Sequence, residues 1–142
     1  MLIEEDRYRI QVRFADGTLV DADITLDPHP ELYSLSLSFD GRRYVSVSAK
    51  DYFEALCDIR LQLEPEVILP VCYGASLTAY PSGRCRSLSG GITTYRLTFD
   101  RSGGQTSLVS TFSSGADVEP ATVAEQRAFF ETWTRATTTQ AS

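Results

Sequence analysis

The segment Gly74–Gly91 carries the residue types best suited to chemistry in this chain. It reads GASLTAYPSGRCRSLSGG and places Cys85 between two arginines, Arg84 and Arg86, a few residues after Tyr80. Two nearby guanidinium groups favour the thiolate form of a cysteine, which would make Cys85 reactive. A loop cysteine without a chemical role is the alternative that we favour. Arginine and tyrosine are also enriched among the residues that dominate protein interfaces.

The same segment is interpreted as a long polar loop between two strands, because turn-forming residues are frequent in it. Loops of this length inside a compact domain are usually functional or disordered. Tyr80-Pro81-Ser82-Gly83 has proline and glycine at the positions typical of a β-turn. Packing of Tyr80 onto a sheet and contact of Tyr80 with a partner are equally consistent with the sequence. The predicted partner-binding residues of this loop are Tyr80, Ser82, Arg84 and Arg86.

An acidic stripe is predicted on the first helix, on the face opposite its apolar residues. A capping box at Ser48–Asp51 is expected to open this helix, which then runs to about Leu63. A charged helix face is most often simply solvated. The functional alternative is docking of a basic partner, since complementary charge speeds association and fixes register. The predicted partner-binding residues of this face are Asp51, Glu54, Asp58 and Leu61.

No sequence motif of a familiar catalytic or cofactor site is present. The single histidine, His29, lies between two prolines in a connector, where we do not expect it to form a catalytic pair. The cysteines Cys57, Cys72 and Cys85 match no zinc signature, and phosphate-loop and nucleophile-elbow motifs are absent. We therefore expect no cofactor, no metal and no enzymatic activity. The alternative is an enzyme or small-ligand-binding protein that uses the Tyr80–Arg86 loop.

Composition and charge narrow the class of partner. The 142 residues carry a net charge of −6 and are 42% hydrophobic, which suffices for one ordinary core. An acidic domain lacks the basic surface expected of a nucleic-acid-binding protein. The sequence has neither an apolar run long enough to span a membrane nor a recognisable secretion signal. We therefore expect a cytoplasmic protein that binds neither nucleic acid nor membranes.

Alternating apolar and polar residues predict antiparallel strands joined by tight turns. The first hairpin is expected to use a three-residue loop ending at Gly17, because that register pairs Val12 with Val20. The second hairpin is expected to turn at Asp40-Gly41. Farther along, Pro70 interrupts an apolar run and indicates a bulge or an edge strand.

The order of the predicted elements defines an α+β fold. Four strands, a helix, three strands and a second helix are expected, with the last turn at 102–104 and a capping box at Thr122–Glu125 opening the final helix. We predict an antiparallel sheet of about six to seven strands with two helices packed on one face. Residues 1–135 would form a single domain, and 136–142 a flexible polar tail.

The second half of the chain resembles a set of small uncharacterised bacterial proteins. The shared pattern is G-A-x4-Y-P-S-G-x-x-R-x-x-x-x-G-x-x-x-Y-x-L, followed by a helix with V-x-E-Q-x-x-F-x-x-x-W. In this sequence the pattern falls on Gly74, Ala75, Tyr80, Pro81, Ser82, Gly83, Arg86, Gly91, Tyr95, Leu97, Val123, Glu125, Gln126, Phe129 and Trp133. Proteins of this kind are similar to the immunity proteins that accompany secreted bacterial toxins.

The resemblance implies a protein-binding module without enzymatic activity. In this hypothesis the chain is a bacterial immunity protein that neutralises a secreted toxin domain by stoichiometric binding. The acidic stripe would steer the complex, and the Tyr80–Arg86 loop would supply anchoring contacts. A secretion chaperone or adaptor is a further alternative.

Overall fold

The protein combines antiparallel sheets with three α-helices in the part of the chain described here. The computed structural model describes residues 2–27, 31–100 and 103–141. The strands are β1 (Leu2–Glu4), β2 (Arg7–Arg13), β3 (Leu19–Asp27), β4 (Tyr33–Phe39), β5 (Arg42–Ser48), β6 (Leu69–Val71), β7 (Ala79–Tyr80), β8 (Thr93–Asp100) and β9 (Gly103–Ser110). The helices are α1 (Tyr52–Leu63), α2 (Gly83–Ser89) and α3 (Val123–Ala141). The predicted α+β class is confirmed.

The strands lie in two sheets, whereas the sequence predicted a single one. The larger sheet has the order β1-β2-β3-β4-β5, with β6 also paired to β2, and the smaller has the order β7-β8-β9. The chain leaves the larger sheet after β6 through a 3-10 turn at Tyr73–Ala75, so that β7 begins a new sheet. Helix α1 packs against β4 and β5, whereas α3 packs against β7 and β9. The two helices α1 and α3 therefore pack on different sheets.

Both predicted hairpins of the larger sheet form, the first in the expected register and the second with the expected turn. Val12 pairs with Val20, and Gly17 has the positive φ of 89° that a left-handed turn residue requires. Asp40-Gly41 turns the second hairpin with φ values of 52° and 75°, the geometry of a type I′ turn. Since side chains alternate along a strand, these registers decide which face of the sheet each residue occupies.

The main core lies between the larger sheet and α1. It includes Ile10, Val12, Ile24, Leu35, Leu37, Leu56, Ile59, Leu63 and Phe112. Pro70 lies on β6, a three-residue strand at the edge of β2, as one of the two predicted alternatives required. A proline has no N–H to donate to a second neighbour, which confines it to such edges.

The segment Gly74–Gly91 is not the long loop that the sequence predicted. It contains β7 and α2, and the predicted β-turn at Tyr80–Gly83 is replaced by the beginning of that helix. The N–H of Arg86 donates to the carbonyl oxygen of Ser82 at 3.0 Å, which is a helical hydrogen bond. Proline and serine are common just before a helix as well as in turns, so the local composition did not separate the two.

The final helix begins at the predicted capping box. The N–H of Thr122 donates to Oε1 of Glu125 at 2.9 Å, and the N–H of Glu125 donates to Oγ1 of Thr122 at 3.1 Å. Helix α3 then continues to Ala141 and covers most of the segment expected to be a flexible tail. Gly103 and Gly104 already belong to β9 and not to the predicted turn. No described helix is both long and apolar enough to cross a membrane.

Candidate partner-binding site

Asp51 does not belong to the predicted exposed stripe. Its side chain is 1% exposed, and its Oδ1 accepts the N–H of Glu54 at 2.8 Å, which makes it the N-cap of α1. Ser48, the residue predicted to cap the helix, lies before the N-cap, where its Oγ accepts the N–H groups of Lys50 at 2.9 Å and of Asp51 at 3.4 Å. A carboxylate at the N-cap satisfies a backbone donor that has no helical partner. Asp51 therefore has a structural role at the beginning of α1.

Arg86 also has a structural partner, because it binds Asp51 through two hydrogen bonds. Its Nε donates to Oδ2 at 2.5 Å and its Nη2 to Oδ1 at 3.1 Å. The hydrogen bond to Asp51 is the main reason that the pKa of Arg86 is raised above its usual value. The guanidinium also lies 5.1 Å from the ring centroid of Phe53. Arg86 thus connects α2 to the beginning of α1, and Asp51 balances its charge.

Tyr80 packs between aromatic rings of two helices. Its ring stacks on Phe130 with centroids 4.2 Å apart and meets Phe53 edge-to-face at 5.3 Å. The ring therefore joins β7 to α1 and α3, in agreement with the anchoring alternative. Contact of Tyr80 with a partner stays a prediction. Ser82 lies directly before α2, half-buried.

A cleft of about 230 Å³ lies where the three helices approach each other. Four of the predicted site residues line it together with Cys57, namely Glu54, Asp58, Tyr80 and Arg86. Burial raises the pKa of the Cys57 thiol despite the nearby Arg60 and Arg86, so the protonated thiol dominates at neutral pH. A small anion entering this cleft would compete with Asp51 for Arg86. The cleft is the place where the small-ligand alternative would apply.

Several predictions fall on parts of the chain that the structure leaves undescribed. His29 lies outside the described residues, and so do the side chains of Arg84 and Cys85, although α2 includes their backbone. The reactive-thiol hypothesis for Cys85 therefore stays a prediction. Among the described residues, no group of three histidine, cysteine, aspartate or glutamate side chains is arranged to hold a metal ion.

Arg60 and Gln126 form a buried polar centre that the sequence analysis missed. Arg60 is 1% exposed, and its Nη1 donates to Oε1 of Gln126 at 2.6 Å, while its Nη2 donates to the carbonyl of Ala121 at 2.9 Å. Gln126 in turn donates to the carbonyls of Gly74 and Ala79 at 3.1 and 2.8 Å. Burial lowers the pKa of Arg60. This centre holds α3 against α1.

A signal for this buried arginine was present in the sequence. Arg60 follows Leu56 by four residues and precedes Leu63 by three, so it shares their face of the helix. That face is the one that packs into the core. A charged residue at such a position indicates an internal hydrogen-bond network, because an unpaired buried charge is very costly.

The exposed acids of α1 lie along β5. Oε2 of Glu54 accepts the hydroxyl of Ser48 at 2.5 Å, and Oδ2 of Asp58 accepts the hydroxyl of Ser46 at 3.1 Å. Both acids are exposed, and in the described part of the chain neither forms an ion pair. Their negative charges therefore remain available to a basic partner.

Two residues beyond the predicted stripe continue this arrangement along β5. Gln62 donates its Nε2 to the carbonyl of Val45 at 3.3 Å. Glu66 accepts the hydroxyl of Tyr44 at 3.0 Å and Nη1 of Arg42 at 3.1 Å. The acidic row, as we name it, consists of Glu54, Asp58 and Glu66.

Exposed apolar residues accompany the acidic row. Leu61, one of the predicted contact residues, is 53% exposed and follows Asp58 by three residues on α1. Val45 and Val47, on the face of β5 that points away from α1, are 44% and 53% exposed. Charged side chains beside exposed apolar ones are typical of a protein-binding surface, where the apolar contacts supply affinity and the charges supply specificity.

Comparison with known protein families gives no match for this chain, and comparison with curated proteins gives none either. The resemblance of the second half of the chain to small bacterial proteins therefore stays a prediction.

Proposed function

We propose that the protein is a non-enzymatic protein-binding module, and that it acts as a bacterial immunity protein that neutralises a toxin domain by stoichiometric binding. The acidic row carries this proposal, because Glu54 and Asp58 are exposed and form no ion pair within the described residues. Complementary charges increase the rate of association and fix the register of a complex. The net charge of −6 acts in the same direction.

The structural role of the other predicted residues supports this proposal as well. Asp51 and Arg86 hold the beginning of α1, and Tyr80 connects the same region to α3. A surface that is already ordered loses less conformational entropy on binding, which favours a tight complex. Glu54 and Asp58 therefore lie on a helix that its neighbours hold in place. The domain would cover the functional surface of a toxin bound to these acids.

The test is co-purification of the tagged protein with the product of its neighbouring gene, followed by a growth assay in which that product is expressed alone or together with the protein. A stable complex that rescues growth is the expected result. No captured partner together with a harmless neighbouring product would overturn the proposal. In that case ligand screening at the helix cleft would follow, while capture of an apolar client segment would favour the chaperone alternative.

A charge-reversal pair tests the site itself. The double variant Glu54→Lys and Asp58→Lys is expected to weaken association at least about 10-fold and to reduce its salt dependence. The control variant, Glu119→Lys and Glu131→Lys, makes the same change in net charge at exposed acids outside the acidic row. Equal weakening in both variants would remove the acidic row from the mechanism. Asp51 is left unchanged because its reversal would disturb the N-cap.

A further inference from the structure

The backbone of β5 has no strand partner along one side within the described residues. β5 is the last strand of the larger sheet, and no other described strand pairs with it beyond β4. It is seven residues long and carries two exposed valines. Proteins usually protect edge strands by keeping them short, charged or covered, since an open edge can pair with another chain. Such an edge is therefore a candidate binding surface.

The register of the hairpin shows which groups of β5 face outward. In a hairpin with a two-residue turn, the residues next to the turn exchange both hydrogen bonds, and this repeats every second pair. Phe39 pairs with Arg42, and Leu37 with Tyr44. Residues 42, 44, 46 and 48 therefore bond to β4, whereas 43, 45 and 47 direct their N–H and C=O groups away from it.

The side chain of Gln62 supports this assignment of the open groups. Its Nε2 reaches the carbonyl oxygen of Val45 from α1, outside the β4–β5 ladder. That carbonyl consequently points away from β4, and an added strand would displace the side chain of Gln62 from it. The row of outward-facing groups extends from Arg43 to Val47, about 14 Å at the usual rise of a strand.

The two sides of this edge differ in chemistry. The acidic row lies over the side that faces α1, where it bonds to Ser46 and Ser48. Val45 and Val47 lie on the opposite face of the sheet, since they alternate with those serines along the strand. A strand added about 4.8 Å from β5 would place alternate side chains beside carboxylates and beside valines.

We infer that β5 binds an extended segment of a protein partner by strand addition, and that this segment alternates basic and apolar residues. The inference rests on the proposed function, because it names the chemistry by which the partner is recognised. Main-chain hydrogen bonds to Arg43, Val45 and Val47 supply affinity, and the alternating side chains supply specificity. The partner's basic residues meet the acidic row, and its apolar residues meet the two valines.

A second copy of this chain is a poorer occupant of the same edge. Antiparallel pairing of two β5 strands about a two-fold axis normal to the sheet would place both α1 helices on the same side. The acidic rows of the two copies would then approach each other, and like charges at an interface are costly. A basic segment, by contrast, would neutralise the negative charge of the acidic row.

Hydrogen exchange on the unmodified protein gives the first test. The probe is a capped peptide, Lys-Val-Lys-Val-Lys, and the control is Glu-Val-Glu-Val-Glu. We expect the basic peptide to slow exchange of the amides of Arg43, Val45 and Val47 at least about 10-fold at saturation, and the acidic peptide to leave them unchanged. Protection elsewhere without protection of these amides would overturn the inference.

A matched pair of variants at Val45 gives the second test. Val45→Pro removes an outward N–H without removing a bond to β4, so the fold is expected to persist while the peptide no longer binds. Val45→Thr keeps the N–H and the branched shape and is expected to bind within about 3-fold of the unmodified protein. Undiminished peptide binding by Val45→Pro would overturn the inference. If that variant does not fold, hydrogen exchange of the unmodified protein with the peptide still tests strand addition.

The two proposals fail in different ways. Rescue and co-purification that survive Val45→Pro would leave the immunity proposal in place and overturn strand addition as its mode of binding. Protection of the β5 amides by the basic peptide, without any toxin partner for the protein, would support strand addition and overturn the immunity proposal.

Discussion

Asp51 and Arg86 bind each other across 35 residues of sequence, although the sequence analysis assigned both to contacts with a partner. The carboxylate caps α1 with one oxygen and also holds the guanidinium of α2 through both. With its side chain 1% exposed, Asp51 depends on this partner for compensation of its charge. The pair joins two helices and leaves Glu54 and Asp58 as the exposed acids of the predicted stripe.

Removing Asp51 is expected to destabilise the protein through both of its roles. Asp51→Ala loses the N-cap and leaves Arg86 without its carboxylate, which lowers the free energy of unfolding by about 3 kcal/mol. Asp51→Asn keeps an acceptor at the cap and is expected to lose about half as much. Urea unfolding followed by the fluorescence of the single tryptophan, Trp133, measures both. Equal losses would show that the cap contributes little.

Gln126 is expected to be among the most sensitive residues of α3. Gln126→Leu keeps roughly the same volume but removes the acceptor of Nη1 of Arg60 and the side-chain donor to the carbonyls of Gly74 and Ala79, at a cost of about 3 kcal/mol. The exposed neighbour provides the control, since Arg127→Leu is expected to change stability by less than about 0.5 kcal/mol. Thermal and urea unfolding of the two variants, side by side, tests this difference.

Two glycines are expected to respond oppositely to alanine. A Cβ at Gly74 would lie 2.4 Å from Cγ2 of Thr111 and 2.8 Å from Cδ2 of Leu56, so Gly74→Ala is expected to cost about 2 kcal/mol. A Cβ at Gly83, at the beginning of α2, meets nothing within 4 Å, and Gly83→Ala is expected to stabilise by about 0.5 kcal/mol. The urea unfolding midpoints of the two variants, each compared with that of the unmodified protein, test this prediction. A neutral Gly74→Ala would mean that the site relaxes easily.

Asp117 makes the acid stability of the protein depend on a network near β8. The hydrogen bond from Tyr73, followed by that from Arg96, lowers the pKa of Asp117. Since the folded pKa is below the unfolded value, this contribution is present above about pH 4 and is lost as the pH falls through the folded pKa. Asp117→Asn should therefore flatten the loss of stability between about pH 4 and pH 2. The effect is modest because the side chain is 49% exposed.

The described cysteines are expected to resist thiol reagents. Burial raises the pKa of Cys72 to about 11 and also raises that of Cys57. In a Cys85→Ser background at pH 8, Cys72 should label at least about 100-fold more slowly than a model peptide thiol. The difference in labelling rate between the unmodified protein and Cys85→Ser then gives the rate of Cys85. Rapid labelling that disappears in Cys85→Ser would favour the enzyme alternative, and labelling at the rate of a model peptide would argue against it.

The predictions that succeeded depend on residues close together in the sequence. The loop ending at Gly17 and the turn at Asp40-Gly41 decide their hairpin registers through local backbone geometry. The capping box at Thr122–Glu125 spans one helical turn. Each of these interactions is decided within a few residues, so one sequence suffices to predict it.

The features of the site that the sequence analysis missed depend on distant partners. Nothing near Asp51 in the sequence indicates that Arg86 will neutralise it, and the same holds for Arg60 and Gln126, which lie 66 residues apart. The residues of the segment Gly74–Gly91 suit a turn and the beginning of a helix equally well, so the local sequence does not distinguish a loop from α2. Packing between the sheets and helices decides that this segment forms β7 and α2 and not a loop.

The sequence by itself determined the α+β class, the register of the first hairpin, the turn of the second at Asp40-Gly41 and the beginning of α3. Hydrophobic periodicity and turn chemistry act over a few residues, and that is enough to specify such features. Only the tertiary structure decided the division into two sheets, the burial of Asp51 and the position of the acidic row along the open edge of β5. Those features depend on contacts between elements far apart in the chain, whose geometry exists only when the core has formed.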